Sequence, residues 1–504
     1  MSVQAIAAID LGTTGCRAEL FSLQGESIGR HAVEYHISTP SVDAAEQEAV
    51  GWWSAACECM RQALKQAELV GSQVMALGLS TQGHSWVPTD ARFHPLRAAF
   101  TWLDRRSAPQ AQMLIEQMGP EFWGQVAGKT PAPWHMLPQL LWLREHEPHV
   151  LQAARHLLFA QDFLLAQLTG KPVTDYTVAA ASLVFDITQN SWSSRLLRQY
   201  GVADRMLAQV LPAGTVAGRL SRDGAAQMGL STDTVAVVGA QDQKCAALGA
   251  GLAPGIATAS LGTATAISAL TDKPVYRLNA PIPCFPYLQK GTWVLEAPLS
   301  TTGGAINWLR EALRPVAPDL SYGTIMDLAA QAPPGSAGVH FFPYLAGAGI
   351  PHGQLDARAA FSGLTLGTRV QHLARAVMEG VAYEIAGAVR AMQQAGCRIR
   401  RLQVFGGGVR SRLWCEIIAA AVDIPLLVCP EAETAVRGAA ILAARGALPA
   451  DQATAFQDAL RCVTRPIRID DERRGSYQQL QVLHARAREA YWAMDATTRT
   501  EDTP

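Results

Sequence analysis

The sequence predicts an α/β protein made of two similar halves, and three observations carry that expectation. Short β-prone apolar runs alternate with stretches of helical spacing, the pattern of strands layered against helices. A strand, a Leu-Gly-Thr turn and a returning strand occur once in each half, at Leu11-Gly12-Thr13 and at Leu261-Gly262-Thr263. The chain has 504 residues, enough for two large domains or three ordinary ones.

Hydrophobic residues make up 49% and charged residues 17%, which supplies buried cores and excludes a disordered chain. Lys plus Arg (42) balances Asp plus Glu (43), so no basic excess marks a nucleic-acid binder. The nine cysteines are odd in number and form no Cys-x-x-Cys. That disfavours zinc and disulfides and fits reduced thiols in a cytoplasmic protein. Asp10 interrupts the first apolar run with no basic segment before it, so no secretory signal is expected. The uncharged stretch from Cys245 to Thr271 is long enough to raise the question of a membrane span. Its Pro254, Gly249, Gly251, Gly255 and Gly262 make it two strands joined by turns, so no membrane contact is expected.

Taken in order, residues 3–9 read as a strand ending at Asp10, and residues 17–23 as the strand returning from a glycine-flanked tip. Trp52, Ala56, Met60 and Leu64 fall on one side of a helix over 46–68, which also contains Cys57 and Cys59. A buried strand at 74–79, helices at 105–118 and 137–146, and a strand at 235–239 follow, the last running into Ala240-Gln241-Asp242-Gln243. There the pattern restarts. Strands at 256–261 and 265–270 flank Gly262-Thr263-Ala264, then come a helix at 304–313, a strand at 339–342 and a long helix at 369–394. The strand at 402–405 enters Gly406-Gly407-Gly408, and helices are expected at 411–421, 434–445 and 470–494. The domains expected are 1–245 and 246–495, with 496–504 a polar, frayed tail.

Several segments point to chemistry. Glycine lets a backbone approach a phosphate, and threonine hydroxyls and amides donate to its oxygens. One such tip is more often an ordinary hairpin; two, one per half, describe a cleft gripping phosphates from both sides. Asp10, just before the first tip, is a candidate ligand for Mg²⁺. The triple glycine opens a helix whose amides favour an anion or a flat ring, with a plain tight turn as the alternative. Neither a Gly-x-Gly-x-x-Gly nor a Walker spacing occurs. Asp242 follows a strand, where carboxylates of α/β folds point into a cleft and can take a proton from a hydroxyl; a helix N-cap is the alternative. Gln82-Gly83-His84 and Trp102-Leu103-Asp104-Arg105-Arg106 set polar groups beside an aromatic, as a sugar requires. Their alternatives are a satisfied core histidine and an Asp104–Arg106 ion pair.

Together these segments resemble the FGGY carbohydrate kinases of the actin/hexokinase/Hsp70 ATPase superfamily. The resemblance rests on Asp10–Ala18, Trp102–Arg106, Gly239–Gln243, Ser260–Thr263 and Gly406–Ser411. Its most specific part is Ala359-Ala360-Phe361-Ser362-Gly363-Leu364 with the following His372–Glu379. The resemblance implies two actin-like (RNase H-like) domains flanking a catalytic cleft, with ATP, Mg²⁺ and a small-molecule sugar as ligands. It implies that Gly12, Thr13, Thr14, Gly262 and Thr263 embrace the ATP phosphates, with Arg17 on the transferred one. Gly407, Gly408 and Ser411 would line the adenine side, Asp10 would stand near Mg²⁺ and Asp242 would be the base. Gln82, His84, Trp102, Asp104, Trp134 and Gln243 would face the sugar.

Within the family, glycerol kinases carry an Arg-Glu pair where this chain has Gly83-His84, and xylulokinases carry Met-His. Gly83 is thus expected to leave a roomier pocket. The expected acceptor is a ketose, D-xylulose at O5 first; other ketoses, polyols and sugar acids stay open and glycerol is disfavoured. Two departures stand out: Gln139 replaces a signature lysine, and Gly347-Ala348-Gly349-Ile350-Pro351-His352 replaces the xylulokinases' Gly-Glu-Arg-Thr-Pro-His near the cleft. A homodimer is compatible with the sequence. The rival readings are an actin- or Hsp70-like ATP switch, which leaves the sugar-sized polar set unexplained, and a nicotinamide dehydrogenase, which lacks its glycine spacing.

Overall fold

The computed structural model describes residues 4–278, 281–354, 356–430 and 433–501. The first half builds a sheet from β1 (Ala5–Leu11), β2 (Gly15–Ser22), β3 (Ser27–Glu34), β4 (Val74–Thr81), β5 (Val216–Arg219) and β6 (Val235–Gln241). The spatial order is β5-β6-β4-β1-β2-β3. The second half builds another from β7 (Gly255–Ser260), β8 (Thr265–Thr271), β9 (Cys284–Pro286), β10 (Trp293–Leu299), β11 (Ile399–Phe405), β12 (Leu426–Val428) and β13 (Arg465–Ile467). Its order is β9-β10-β8-β7-β11-β12-β13. Without the edge strands β5, β9 and β13 the two orders are the same. In each sheet an antiparallel meander of three strands is extended by two parallel strands on the far side of the first.

The first sheet is buried on both faces, which is why β1 reads as an unbroken apolar run instead of alternating. On one face Ile9, Leu20, Leu77 and Leu79 pack with Trp52, Ala56, Met60 and Leu64 of α1 (Ala49–Gln66). On the other, Ile6, Ala8, Phe21, Ala76 and Val237 meet Val436, Ala440, Ile441 and Ala444, which come from the second half of the sequence. In chain order the other helices that matter are α2 (Asp242–Gly249), α3 (Gly303–Leu313), α4 (Val370–Gln394), α5 (Arg412–Val422), α6 (Thr434–Ala447) and α7 (Asp471–Glu501). The helix covering the second face is α6. It crosses α2 with the backbones in contact: a Cβ on Gly438 would lie 2.0 Å from Cys245 O, and one on Gly249 2.0 Å from Thr434 O.

Several expectations need correction. The helix expected from 46 begins at Ala49, because Glu46 and Gln47 pair with Phe100 and Ala99 as a short strand. The helix expected at 105–118 runs over Ala108–Ala127, broken at Gly119, where φ is 76°. Of the uncharged stretch, the first residues belong to α2, and β7 and β8 follow with turns before and between them. No helix among the described residues is long and apolar enough to cross a membrane. Residue 245 falls inside α2, and α6 completes the first sheet, so a cut there divides the sequence but not the packing. The terminal helix continues to Glu501, through most of the segment expected to fray; 502–504 lie outside the described residues. Cys429 and Cys462 form a disulfide, against the expectation of reduced thiols throughout. The cause is the antiparallel β12–β13 pair, in which Val428 faces Arg465 and brings the flanking segments together.

Candidate active site

The parallel strands β1, β4 and β6 are aligned so that Asp10 faces Ser80, Leu11 faces Thr81 and Thr81 faces Gln241. Their C-terminal ends therefore deliver Asp10, Gln82-Gly83-His84 and Asp242 to one edge of the sheet, where α/β folds bind ligands. Asp10 Oδ1 accepts from Ser80 Oγ at 2.6 Å. Asp242 begins α2, and its Oδ1 accepts from Gln243 N at 2.6 Å and Gln241 Nε2 at 2.7 Å. Burial, reinforced by the charge of Asp10, pushes the Asp242 carboxyl up to about 7. Burial likewise raises Asp10. Two half-buried, mutually repelling carboxylates at one sheet edge suit a hard cation. No group of three or more acidic, histidine or cysteine ligands exists among the described residues. A cation there would find at most these one or two protein carboxylates, a donor set that Mg²⁺ accepts.

Both hairpin tips form as expected. Gly12 N donates to Gly15 O at 2.9 Å, and Gly262 N to Ala264 O at 3.2 Å. Neither glycine has a positive φ, and a Cβ would meet only Gly15 O at 3.4 Å or Ala264 O at 3.2 Å. The hairpins themselves scarcely demand glycine at these points; close approach of a ligand would. Thr14, Gly262 and Thr263 are exposed. Trp102 is exposed too, and its indole N–H donates to Thr13 Oγ1 at 2.8 Å. Arg17, opposite Asp10 in the ladder, forms an ion pair with Glu433.

Gly262, Thr263, Gly407, Gly408 and Ser411 line one cavity of about 860 Å³ in the second half, within the usual range of a small-molecule site. Gly407 borders open space, whereas a Cβ on Gly408 would lie 2.7 Å from Trp414 and 2.8 Å from Leu261 Cβ. One glycine thus leaves room for a ligand, and the other permits packing. Ser411 Oγ also caps α5, accepting from Trp414 N at 3.2 Å. The same cavity includes Asn307 and Tyr322, joined by a 2.7 Å hydrogen bond, which no motif signals.

On the sugar side two expected contacts are corrected. Asp104 is fully buried; its carboxylate accepts from Ala45 N at 2.9 Å and from Arg106 N and Nε at about 3 Å. Arg106 continues to Glu46 at 2.6 Å, so Asp104 belongs to an ion-pair strut and has no face left for a sugar. Gln82 is also buried: Nε2 donates to Gln47 Oε1 at 2.9 Å, and Oε1 accepts from Ser85 Oγ at 3.0 Å. The extra room expected at Gly83 is filled, because a Cβ there would lie 2.7 Å from Gln241 Cγ.

His84 is half-buried with its ring 5.2 Å from that of His135, which in turn lies 5.9 Å from Trp134. Burial, with Lys129 and Lys244 nearby, lowers the His84 pKa to about 3, so the imidazole is neutral. Lys129 is buried, donates to Ala180 O at 2.8 Å and sits 4.1 Å from the Phe285 ring; Lys244 approaches that ring at 3.7 Å and pairs with Glu296 at 2.7 Å. Gln47, His135, Lys129 and Gln241 went unread in the sequence; only Gln241, beside Asp242, carried a local cue.

The departures prove local. Gln139 is buried and accepts from Trp86 Nε1 at 2.7 Å. His352 Nε2 lies 2.9 Å from Glu384, among Tyr344, Arg488 and Trp492 of the second half.

Comparison with known proteins agrees with this geometry. Residues 5–249 match the N-terminal domain of the FGGY family of carbohydrate kinases, and residues 257–447 its C-terminal domain. The chain is 26% identical over 472 residues to a gluconokinase of Bacillus subtilis (strain 168), covering 92% of this chain and 91% of that protein. It is 29% identical over 413 residues to a xylulose kinase of Escherichia coli (strain K12), covering 82% and 83%. A crystal structure described as a xyloylose kinase from Brucella ovis superposes with a TM-score of 0.89 at 26% identity, covering 97% of this chain and all of that one. Twin sheets of one topology, a carboxylate pair at the strand ends and both family domains in sequence make this chain a member of the FGGY family of carbohydrate kinases.

Proposed function

We propose that the chain transfers the γ-phosphoryl group of ATP to a sugar hydroxyl held at Asp242, with that carboxylate aligning the hydroxyl and taking its proton. The observation that carries this reading is the strand register that sets Asp242, at the end of β6, on the same sheet edge as Asp10 and the first glycine tip; partial burial and the charge of Asp10 raise its carboxyl to about 7. A base poised near neutral pH is suited to accept a proton at the transition state. Phosphoryl transfer proceeds through a loose transition state, so catalysis is mostly alignment and charge stabilisation. Thr13, Thr14 and Thr263 donate to the phosphate oxygens from the two tips, and Arg17, on the Asp10 side, exchanges its Glu433 partner for a phosphate oxygen. Asp10 would hold Mg²⁺, which neutralises phosphate charge when bound. Gly407 gives the adenine its room. His84, as a neutral imidazole, and Gln243 bind sugar hydroxyls, and Trp134 and the exposed face of Trp102 pack on the sugar's C–H surface.

The first acceptor is D-xylulose at O5. A second reading, an acceptor with a carboxylate such as an aldonic acid, is favoured by one observation: the buried Lys129 amine, lowered to about 7 by burial and by Lys244, has one backbone hydrogen-bond partner among the described residues and stands near His84, so an anionic group beside it would restore its charge. Coupled ADP release with D-xylulose, D-gluconate and glycerol separates the readings. The expected order of kcat/KM is D-xylulose first and glycerol last. A lead for D-gluconate that Lys129→Met abolishes establishes the second reading, and ADP release indifferent to every sugar defeats both.

A further inference from the structure

Gly83 lacks a side chain, yet no gap lies beside it. A Cβ built there would stand 2.7 Å from Gln241 Cγ and 3.0 Å from Gln241 Nε2, so the Gln241 side chain lies directly against the Gly83 backbone. Gln241 is only 8% exposed. Its backbone N–H donates to Thr177 Oγ1 at 2.9 Å, which fixes the end of β6, and its Nε2 donates to Asp242 Oδ1 at 2.7 Å. Its Oε1 is buried and has no hydrogen-bond partner. An ionised carboxylate can only accept, so the amide must turn its N–H toward Asp242 and its oxygen away. A buried acceptor without a donor is costly. It belongs to the amide whose Nε2 holds Asp242, next to the group that aligns the attacking hydroxyl.

We propose that Gln241 is a specificity-determining residue whose Oε1 accepts from the hydroxyl next to the one Asp242 activates, while its Nε2 holds the base in place. Gly83 and Gln241 then form a matched pair, the volume absent at one position being supplied from the other. The acceptor at this site is a vicinal diol at its phosphorylated end. The inference rests on the reading of Asp242 as base.

The test uses the full-length enzyme and whichever of D-xylulose, D-gluconate and glycerol it turns over fastest. Gln241→Met keeps bulk over Gly83 but removes both hydrogen bonds. It should raise the KM for the acceptor about 10-fold, the scale of one lost hydrogen bond, and leave the KM for ATP within about twofold. Gly83→Ala drives a methyl group into the Gln241 side chain and should lower kcat/KM by about 10- to 100-fold. Gly83→Ala with Gln241→Gly relieves that clash and should return kcat/KM to the level of Gln241→Met and no further, because the Gln241 hydrogen bonds are still absent. Unchanged acceptor KM and kcat in Gln241→Met, with Asp242→Asn inactive, overturns the inference and leaves the base standing. A double variant no better than Gly83→Ala alone overturns the matched pair. An active Asp242→Asn instead breaks the underlying reading. Should Gln241→Met not fold in a thermal melt, the Gly83 pair still decides.

Discussion

The two halves share one strand order and carry different residues at corresponding points of it. β1 supplies Asp10 before its tip, and β7 supplies Ser260. β4 leads into Gln82-Gly83-His84, whereas β11 leads into Gly406-Gly407-Gly408. β6 is followed by Asp242, and β12 by Cys429, which is tied to Cys462. The fold gathers strand ends, and the residue at each end decides what that half does. The first half concentrates carboxylates, and the second opens a cavity.

The tips differ in how they are held. Tyr35 OH and Gln47 Nε2 hold the carbonyls of Gly12 and Thr13 in the first half. In the second, the carbonyls of Gly262 and Thr263 accept from backbone N–H groups of Thr302, Gly303 and Gly304, at 3.0, 3.0 and 2.9 Å. The Thr302 hydroxyl also donates to both of these carbonyls, at 3.1 and 3.3 Å, but the second tip keeps its three backbone donors if that side chain is lost, whereas the side-chain anchors of the first go with single substitutions.

The largest expected effect breaks the equivalence of the strand ends. Asp242→Asn should lower kcat by about 10²–10⁴-fold, the range for loss of a general base, with the KM for ATP almost unchanged. Cys429→Ser, at the matching position, should leave kcat within about twofold once the protein is folded, because no reacting group is lost. Steady-state kinetics on the two variants checks both.

Next come the tips. Gly262→Val and Gly12→Val should each lower kcat/KM for ATP by up to ~10²-fold, the scale of a misplaced reactant. Acceptor binding should stay largely intact. Unchanged ATP kinetics in a folded Gly262→Val protein would leave the second tip an ordinary turn.

A smaller contrast tests how the tips are held. Gln47 joins Thr13 O at 2.6 Å, Gln82 Nε2 at 2.9 Å and Trp52 Nε1 at 3.0 Å. Gln47→Leu strands these partners and should lower kcat/KM by about 5- to 30-fold, a cost of ~1–2 kcal/mol. Thr302→Val keeps the backbone donors to the second tip and should cost less than about threefold. Equal effects would erase the distinction between the tips.

The smallest effect is one of pH. Protonated Asp242 cannot accept a proton, so kcat/KM should fall as pH drops through about 7. Between pH 8 and 7 the change is only about twofold, since the group is then half protonated. A cation at Asp10 moves the fall to lower pH. An alkaline fall in place of an acid one would remove Asp242 as the base.

Much of this was legible because it is local. The apolar runs gave β1, β4, β6 and β7, and the two glycine-threonine tips announced themselves by residue type and by their place after a strand. Side-chain direction was not legible. Asp104 and Gln82 sit among polar neighbours in sequence, but tertiary packing turns both inward onto Arg106 and Gln47. Gln47 gives no cue because its three partners come from distant segments and from α1. Gly83 reads as empty space until Gln241, far along the chain, is seen to occupy it. The disulfide depends on pairing between β12 and β13, its cysteines being 33 positions apart.

The position of α6 also sets a timetable for synthesis. When β6 has left the ribosome, every strand of the first sheet exists, yet Ile6, Ala8, Phe21, Ala76 and Val237 have nothing to cover them. Their cover begins at Thr434, roughly 200 residues later, a wait on the order of 10–40 s at usual elongation rates. During that interval the nascent chain carries a half-covered sheet, a surface of the kind chaperones hold. A fragment ending at residue 249 keeps that face bare for good.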